Sequence, residues 1–132
     1  MAISTITAVF EHDAKTLWDV VTSLEHYQWR SDLSRIEVVS GKQFIAYTKD
    51  GFATTFIVTA CEPCKRWEFD MENSNMRGHW TGIFTGRGNQ TEITFTEDVT
   101  AKKLVMKPFV KAFLKKQQEQ YIADLRKALK GA

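Results

Sequence analysis

Residues 65–72 read Lys65-Arg66-Trp67-Glu68-Phe69-Asp70-Met71-Glu72. Trp67, Phe69 and Met71 alternate with Glu68, Asp70 and Glu72, which gives a strand one buried face and one wet face. On its N-terminal side the strand meets a turn at Glu62-Pro63, and on its C-terminal side another at Asn73-Ser74-Asn75. The pattern repeats in both directions. Further strands are predicted over Ser34–Ser40, Gln43–Lys49, Phe52–Cys61, Met76–Gly86 and Thr91–Thr100, separated by Gly41-Lys42, Asp50-Gly51 and Gly88-Asn89. Links this short join antiparallel neighbours, because a parallel crossover needs a dozen or more residues.

The two ends of the chain differ from this middle. Ile3 to Phe10 reads as a first strand, with Ile6, Ala8 and Phe10 set against Thr5, Thr7 and Val9. Asp13 can accept the free amide hydrogens of a following turn. Ala14, Leu17, Val20, Val21 and Leu24 then recur at helical steps, a second helical or turn-like piece covers Glu25 to about Asp32, and two short helices are thus expected after the first strand. A long helix closes the chain. Pro108 suits its first turn and Gly131 its stop. Its apolar stripe is read as Val110, Phe113, Leu114, Gln117, Tyr121, Leu125 and Leu129, with Lys107, Lys111, Lys115 and Arg126 off it.

The 132 residues suit one domain, and the balance of 43% hydrophobic to 26% charged residues is that of an ordinary globular chain. No apolar run is long enough to cross a membrane, and Met1-Ala2-Ile3-Ser4-Thr5 opens no secretion signal, so a cytoplasmic protein is expected. Two cysteines cannot build a disulfide framework, which leaves stability to a packed core. The net charge of +2 hides an asymmetry: residues 1–101 carry 9 Lys/Arg against 14 Asp/Glu, and residues 102–132 carry 9 against 2. A basic end of this kind marks either a surface for anionic lipid or the solvated face of a helix. Nucleic acid is not expected as a partner, since no docking motif accompanies the lysines.

Seven antiparallel strands with one wet face need a cover for the other, and the C-terminal helix, roughly 30 Å long at about 1.5 Å per residue, is the only element of that length. Gly78, Gly82 and Gly86 fall on one strand face with Trp80 and Phe84. Glycines there fit a bend or a close approach to the backbone. A cavity and a fully packed core account for them equally well. Placing Trp80 and Phe84 inward leaves His79 outward.

Four motifs carry a family resemblance. Ala14-Lys15-Thr16-Leu17-Trp18-Asp19-Val20-Val21-Thr22 followed by Tyr27-Gln28-Trp29 resembles the opening of the polyketide cyclase/dehydrase-like branch of the START-related (SRPBCC) superfamily. Cys61-Glu62-Pro63-Cys64-Lys65-Arg66-Trp67 resembles that family's turn between two strands, Gly88-Asn89-Gln90-Thr91-Glu92-Ile93-Thr94 its entry to the last strand, and Ile122 to Lys130 its helix ending. The resemblance covers essentially the whole chain. It implies an α+β helix-grip fold, in which a curved seven-stranded antiparallel sheet holds a long C-terminal helix over its concave face, with a ligand cavity between them. Family members range from lipid carriers and hormone receptors to cyclases, so fold alone does not set the function.

Glu97 shares a strand face with Ile93, Phe95 and Val99. A carboxylate turned into an apolar interior must be paired, hydrated or protonated. It can orient a ligand or move a proton, or it can lie in water at the open end of the strand. Tyr27, Trp29, Tyr47, Phe56, Phe69, Trp80, Phe84, Phe109 and Phe113 are the candidate apolar walls of a ligand site, with Trp29 at its mouth. The same rings would serve any core. Cys61 and Cys64 flank a strand-to-strand turn without a βαβ unit, and zinc would need two further ligands, so neither redox chemistry nor a metal is expected. His12, His26 and His79 have no partner close in sequence. No cofactor motif is present. The leading expectation is a carrier of a small hydrophobic molecule. The alternatives are a cyclase or dehydratase using Glu97, with Tyr27 or Tyr47, as general acid/base, and a module that contacts a membrane surface through its basic helix.

Overall fold

The computed structural model describes residues 2–130, and the alternation around Phe69 falls at the centre of its sheet. Strand β1 (Ala2–Phe10) leads to helix α1 (Ala14–Thr22), then to β2 (Arg35–Val38), β3 (Gln43–Tyr47), β4 (Ala53–Glu62), β5 (Arg66–Glu72), β6 (Met76–Arg87) and β7 (Gln90–Ala101). A 3-10 helix, Leu104–Phe109, precedes the long α2 (Val110–Lys130). The sheet order is β1-β7-β6-β5-β4-β3-β2, antiparallel throughout, so the first strand closes against the last. This is the α+β helix-grip architecture.

Local chemistry fixes the ends. Asp13 accepts a hydrogen bond from the Thr16 amide at 3.0 Å and so caps α1. Pro63 and Cys64 are the central residues of the β4–β5 turn, closed by the Lys65 amide donating to the Glu62 carbonyl at 2.9 Å. Cys64 there has φ 65°, a conformation that glycine or asparagine adopts more readily. Leu114, Ile122, Leu125 and Leu129 of α2 are buried against the sheet. Each such side chain contributes about 1.5–3 kcal/mol by leaving water.

Three expectations about the helices are corrected. Glu25 to Asp32 forms turns rather than a second helix. Its backbone is claimed by side chains: the Ser23 hydroxyl accepts from the His26 amide at 3.0 Å, and Asp124 of α2 accepts from the Ser31 amide at 2.9 Å. Pro108 lies inside the 3-10 helix, two residues before α2 begins, where short i to i+3 turns commonly lead into a longer helix. The buried stripe of α2 is Val110, Leu114, Gln118, Ile122, Leu125 and Leu129, while Phe113 and Gln117 are exposed. Gly131, the expected stop, lies outside the described residues.

The concave face carries a belt of aromatic rings. Phe44 and Phe56 stack at 4.9 Å, Phe56 meets Phe69 at 5.1 Å, Phe69 stacks on Trp80 at 4.8 Å, and Trp80 meets Phe95 at 4.7 Å. The belt reaches α2 through Phe95 and Tyr121 at 5.7 Å. Gly82 makes room for it: a Cβ there would lie 2.5 Å from the Trp80 ring. Gly86 lets Ala14 of α1 approach the sheet, with the two Cβ positions 3.0 Å apart. These two glycines therefore serve close packing.

Candidate functional site

The belt does not fill the space under α2. An inner cavity of about 120 Å³ lies among Val21 of α1, Leu24, Tyr27, Trp29 and Arg30 of the following turns, Phe44, Trp67, Phe69, Trp80 and Phe95 of the sheet, and Gln118 and Tyr121 of α2. A wider groove of about 530 Å³ lies among Phe52, Thr54, Asn73, Met76, Val105, Met106, Phe109 and Phe113. Phe56, Met71, Glu97 and Gln117 border both, so the two compartments meet at Glu97. The groove is within the range of small-molecule sites, roughly 300–1,000 Å³, and the inner cavity is below it.

Glu97 stands on β7 with Ser4 and Trp80 as its cross-strand neighbours. It is 8% exposed, on the face shared with Ile93, Phe95 and Val99. Burial pushes its carboxyl up to about 7, and the Arg30 guanidinium opposes that shift. Arg30 is itself engaged. It forms a two-pronged bond to Asp32 at 3.2 and 2.8 Å and lies 4.9 Å over the Tyr121 ring. No hydrogen bond among the described residues reaches the Glu97 side chain. Near neutrality this carboxyl is therefore divided between a hydrogen-bond donor and an anion.

Two more polar groups mark the inner wall. Trp29 Nε1 is the one side-chain nitrogen or oxygen among the described residues that is wholly closed off from solvent and has no hydrogen-bond partner, whereas the Glu97 oxygens keep a little access to the cavity. Burial pushes the Tyr121 phenol up to about 12, so it stays protonated. Gln118, which the sequence reading passed over, is fully engaged. It accepts from the Ser4 hydroxyl at 2.7 Å and donates to the Ser4 carbonyl at 2.9 Å, tying α2 to β1.

Of the predicted site residues, Tyr27, Trp29, Phe56, Phe69, Trp80 and Glu97 line the inner cavity. Phe56 and Glu97 also border the groove, where Phe109 and Phe113 stand. Tyr47 and Phe84 stand apart from both compartments. Phe44 and Ala46 are the inward residues of β3, so the two-residue period turns Tyr47 outward. There its hydroxyl donates to Glu37 at 2.9 Å under the Arg35 guanidinium. Phe84 does face inward, but Trp18 of α1 covers it edge-on at 5.2 Å. The expected mouth also moves. Trp29 lines the inner compartment, edge-on to Tyr121 at 5.3 Å, and the wide opening lies at Phe109 and Phe113.

On the convex face His79 sits between Asp70 and Glu68, each 2.7 Å from one ring nitrogen. The hydrogen bond to Asp70 leads, and with Glu68 it raises the histidine's pKa against the cost of burial. Cys61 and Cys64 are both free thiols. Among the described residues no group of three His, Cys, Asp or Glu side chains is placed to hold a metal ion. No described helix is long and apolar enough to cross a membrane.

A search of the curated proteins returns no match. Among solved structures the chain is similar to a START superfamily protein from Mycobacterium smegmatis, with 14% identity, a TM-score of 0.90 and 99% of each chain covered. It is similar to a conserved protein from Geobacillus kaustophilus at 10% identity and a TM-score of 0.84, covering 98% of this chain and 95% of that one. A third similarity is to the di-domain ARO/CYC BexL from the BE-7585A biosynthetic pathway, at 10% identity and a TM-score of 0.83, covering 98% of this chain and 47% of that one. At such identities the likeness is one of fold. A family model described as polyketide cyclase / dehydrase and lipid transport matches residues 1–130, and the chain belongs to that family.

Proposed function

We propose that the protein binds and carries a small hydrophobic molecule, acting as one domain over residues 1–132. The apolar body of the ligand would lie along the aromatic belt and in the groove, and a polar group would meet Glu97. The observation that carries this reading is the Glu97 carboxyl, largely buried and without a hydrogen-bond partner among the described residues, where the two compartments join. A buried polar group left unsatisfied costs free energy that a ligand can recover. The inner cavity suits a ring or a short branch and the groove suits the bulk of the molecule. The wall needs no metal or organic cofactor for this task.

Native mass spectrometry of the protein as purified, followed by organic extraction, tests the reading. A co-purifying small molecule that is lost on denaturation supports it and supplies the ligand's chemical class. An apo mass, together with unchanged thermal stability across fatty acids, sterols, quinones and aromatic polyketides, would overturn it.

One observation favours a second reading, a cyclase or dehydratase. A carboxyl that titrates near 7 in an apolar site is matched to proton transfer at neutral pH. Glu97→Gln separates the two. A carrier keeps its affinity within a few-fold, whereas an enzyme keeps its affinity and loses turnover.

A further inference from the structure

The rim of the groove is apolar and unusually bare. Leu104, Val105, Phe109 and Phe113 are 79%, 75%, 68% and 52% exposed, four large apolar side chains within ten residues. Ordinary surfaces scatter such residues singly. Residues 102–116 also hold six lysines and no carboxylate. Lys102 is paired with Glu72 at 2.6 Å, and Lys103 donates to Asn75 at 3.2 Å. Lys107, Lys111, Lys115 and Lys116 form no ion pair among the described residues. Of the carboxylates that line the groove, Glu72 is paired with Lys102 and Glu97 lies inside, and Glu119 is the first carboxylate after Lys116 along α2.

We propose that the segment from Leu104 to Phe113 docks on an anionic membrane surface, its apolar side chains entering the interface while the flanking lysines meet lipid headgroups. Apolar side chains beside basic ones are what binding in the plane of such an interface requires. Each lysine near the surface adds to the attraction for anionic headgroups, an attraction that salt screens. A second copy of this chain fits the rim poorly, because a two-fold interface would bring like-charged lysines together. The bare residues also rim the wider compartment. A chain docked here holds the groove mouth against the acyl region, and a hydrophobic ligand passes between bilayer and groove without crossing water. This last step rests on the carrier reading; the docking itself does not.

The test is co-sedimentation with phosphatidylcholine vesicles, with and without phosphatidylserine, at low and high salt. Binding should require phosphatidylserine and weaken as salt rises. V105S/F109S and K107E/K111E should each lower partitioning by about tenfold or more. Both pairs are exposed, so the melting temperature should hold, and K107E/K111E, which lies off the groove wall, should keep affinity for a ligand presented in solution within a few-fold. The proposal is overturned if the protein ignores phosphatidylserine vesicles, or if neither variant changes its partitioning. It is also overturned if the same variants instead abolish a concentration-dependent dimer. Salt-sensitive vesicle binding by a protein that takes up no hydrophobic ligand would keep the docking surface and remove the carrier reading.

Discussion

Strands β5, β6 and β7 present opposite chemistry on their two faces, and neighbouring residues mark the difference. His79 and Trp80 are adjacent in β6; Trp80 faces Glu97 across the sheet, and His79 faces Asp70 and Asp98. On the convex side the ionisable group is answered at once, with a carboxylate on each ring nitrogen. On the concave side the carboxyl of Glu97 is largely buried, and no hydrogen bond among the described residues answers it. The sheet can supply partners where it needs them. A polar group left without one is therefore better read as provision for another molecule than as a fault in packing.

The comparison breaks most visibly at Glu97. Its raised pKa means that the folded chain holds this proton more tightly than the unfolded chain. Stability is then full below about 4.5, falls as pH rises from there through about 7, and is level above. Glu97→Gln should remove that decline and stabilise the free protein above pH 7 by up to roughly 3 kcal/mol, with little effect under acid conditions. Denaturant unfolding across pH reads this directly. Destabilisation by the same change would show that the carboxyl has a partner, and the contrast between the faces would fail.

Gln118 sharpens the point, being a buried polar group of the same interior with its bonds complete. Gln118→Ala should cost about 2 kcal/mol, since it strands the Ser4 hydroxyl and leaves a void. The two interior substitutions should thus move stability in opposite directions above neutral pH. On the convex face His79→Gln should cost well under about 1 kcal/mol, because half-exposed ion pairs are worth little. Its raised pKa has the reverse sense from ordinary carboxylate pairing: the stabilisation is whole below the free-histidine value and fades as pH rises through the folded one. The variant should lose that neutral-range fade and its dependence on salt. A large loss would mean that His79 organises more of the sheet than its two neighbours.

Strand alternation made most of this legible. Trp67, Phe69, Trp80, Phe95 and Glu97 could be assigned to one face because their neighbours are polar. β3 resisted, since Phe44 and Ala46 alternate with Ile45 and Tyr47 and both faces look apolar. The phase of α2 was obscured by two adjacent glutamines, Gln117 and Gln118, which no period can tell apart, and by the size of Phe113, which drew the stripe toward a residue that stays in water. Phe84 was given its correct face but not its neighbour Trp18, because contact between α1 and the sheet is a tertiary fact. The turns from Glu25 to Asp32 depend on Asp124, far along the chain, and local propensity carries no trace of that partner.

The aromatic belt also gives the protein an optical consequence. Three of its four tryptophans, Trp29, Trp67 and Trp80, line the inner cavity, and only Trp18 stands outside it. Whatever enters displaces water or void beside those indoles and changes their emission. The chain thus carries a built-in fluorescent gauge of its own occupancy, and a titration can be read without attaching a label.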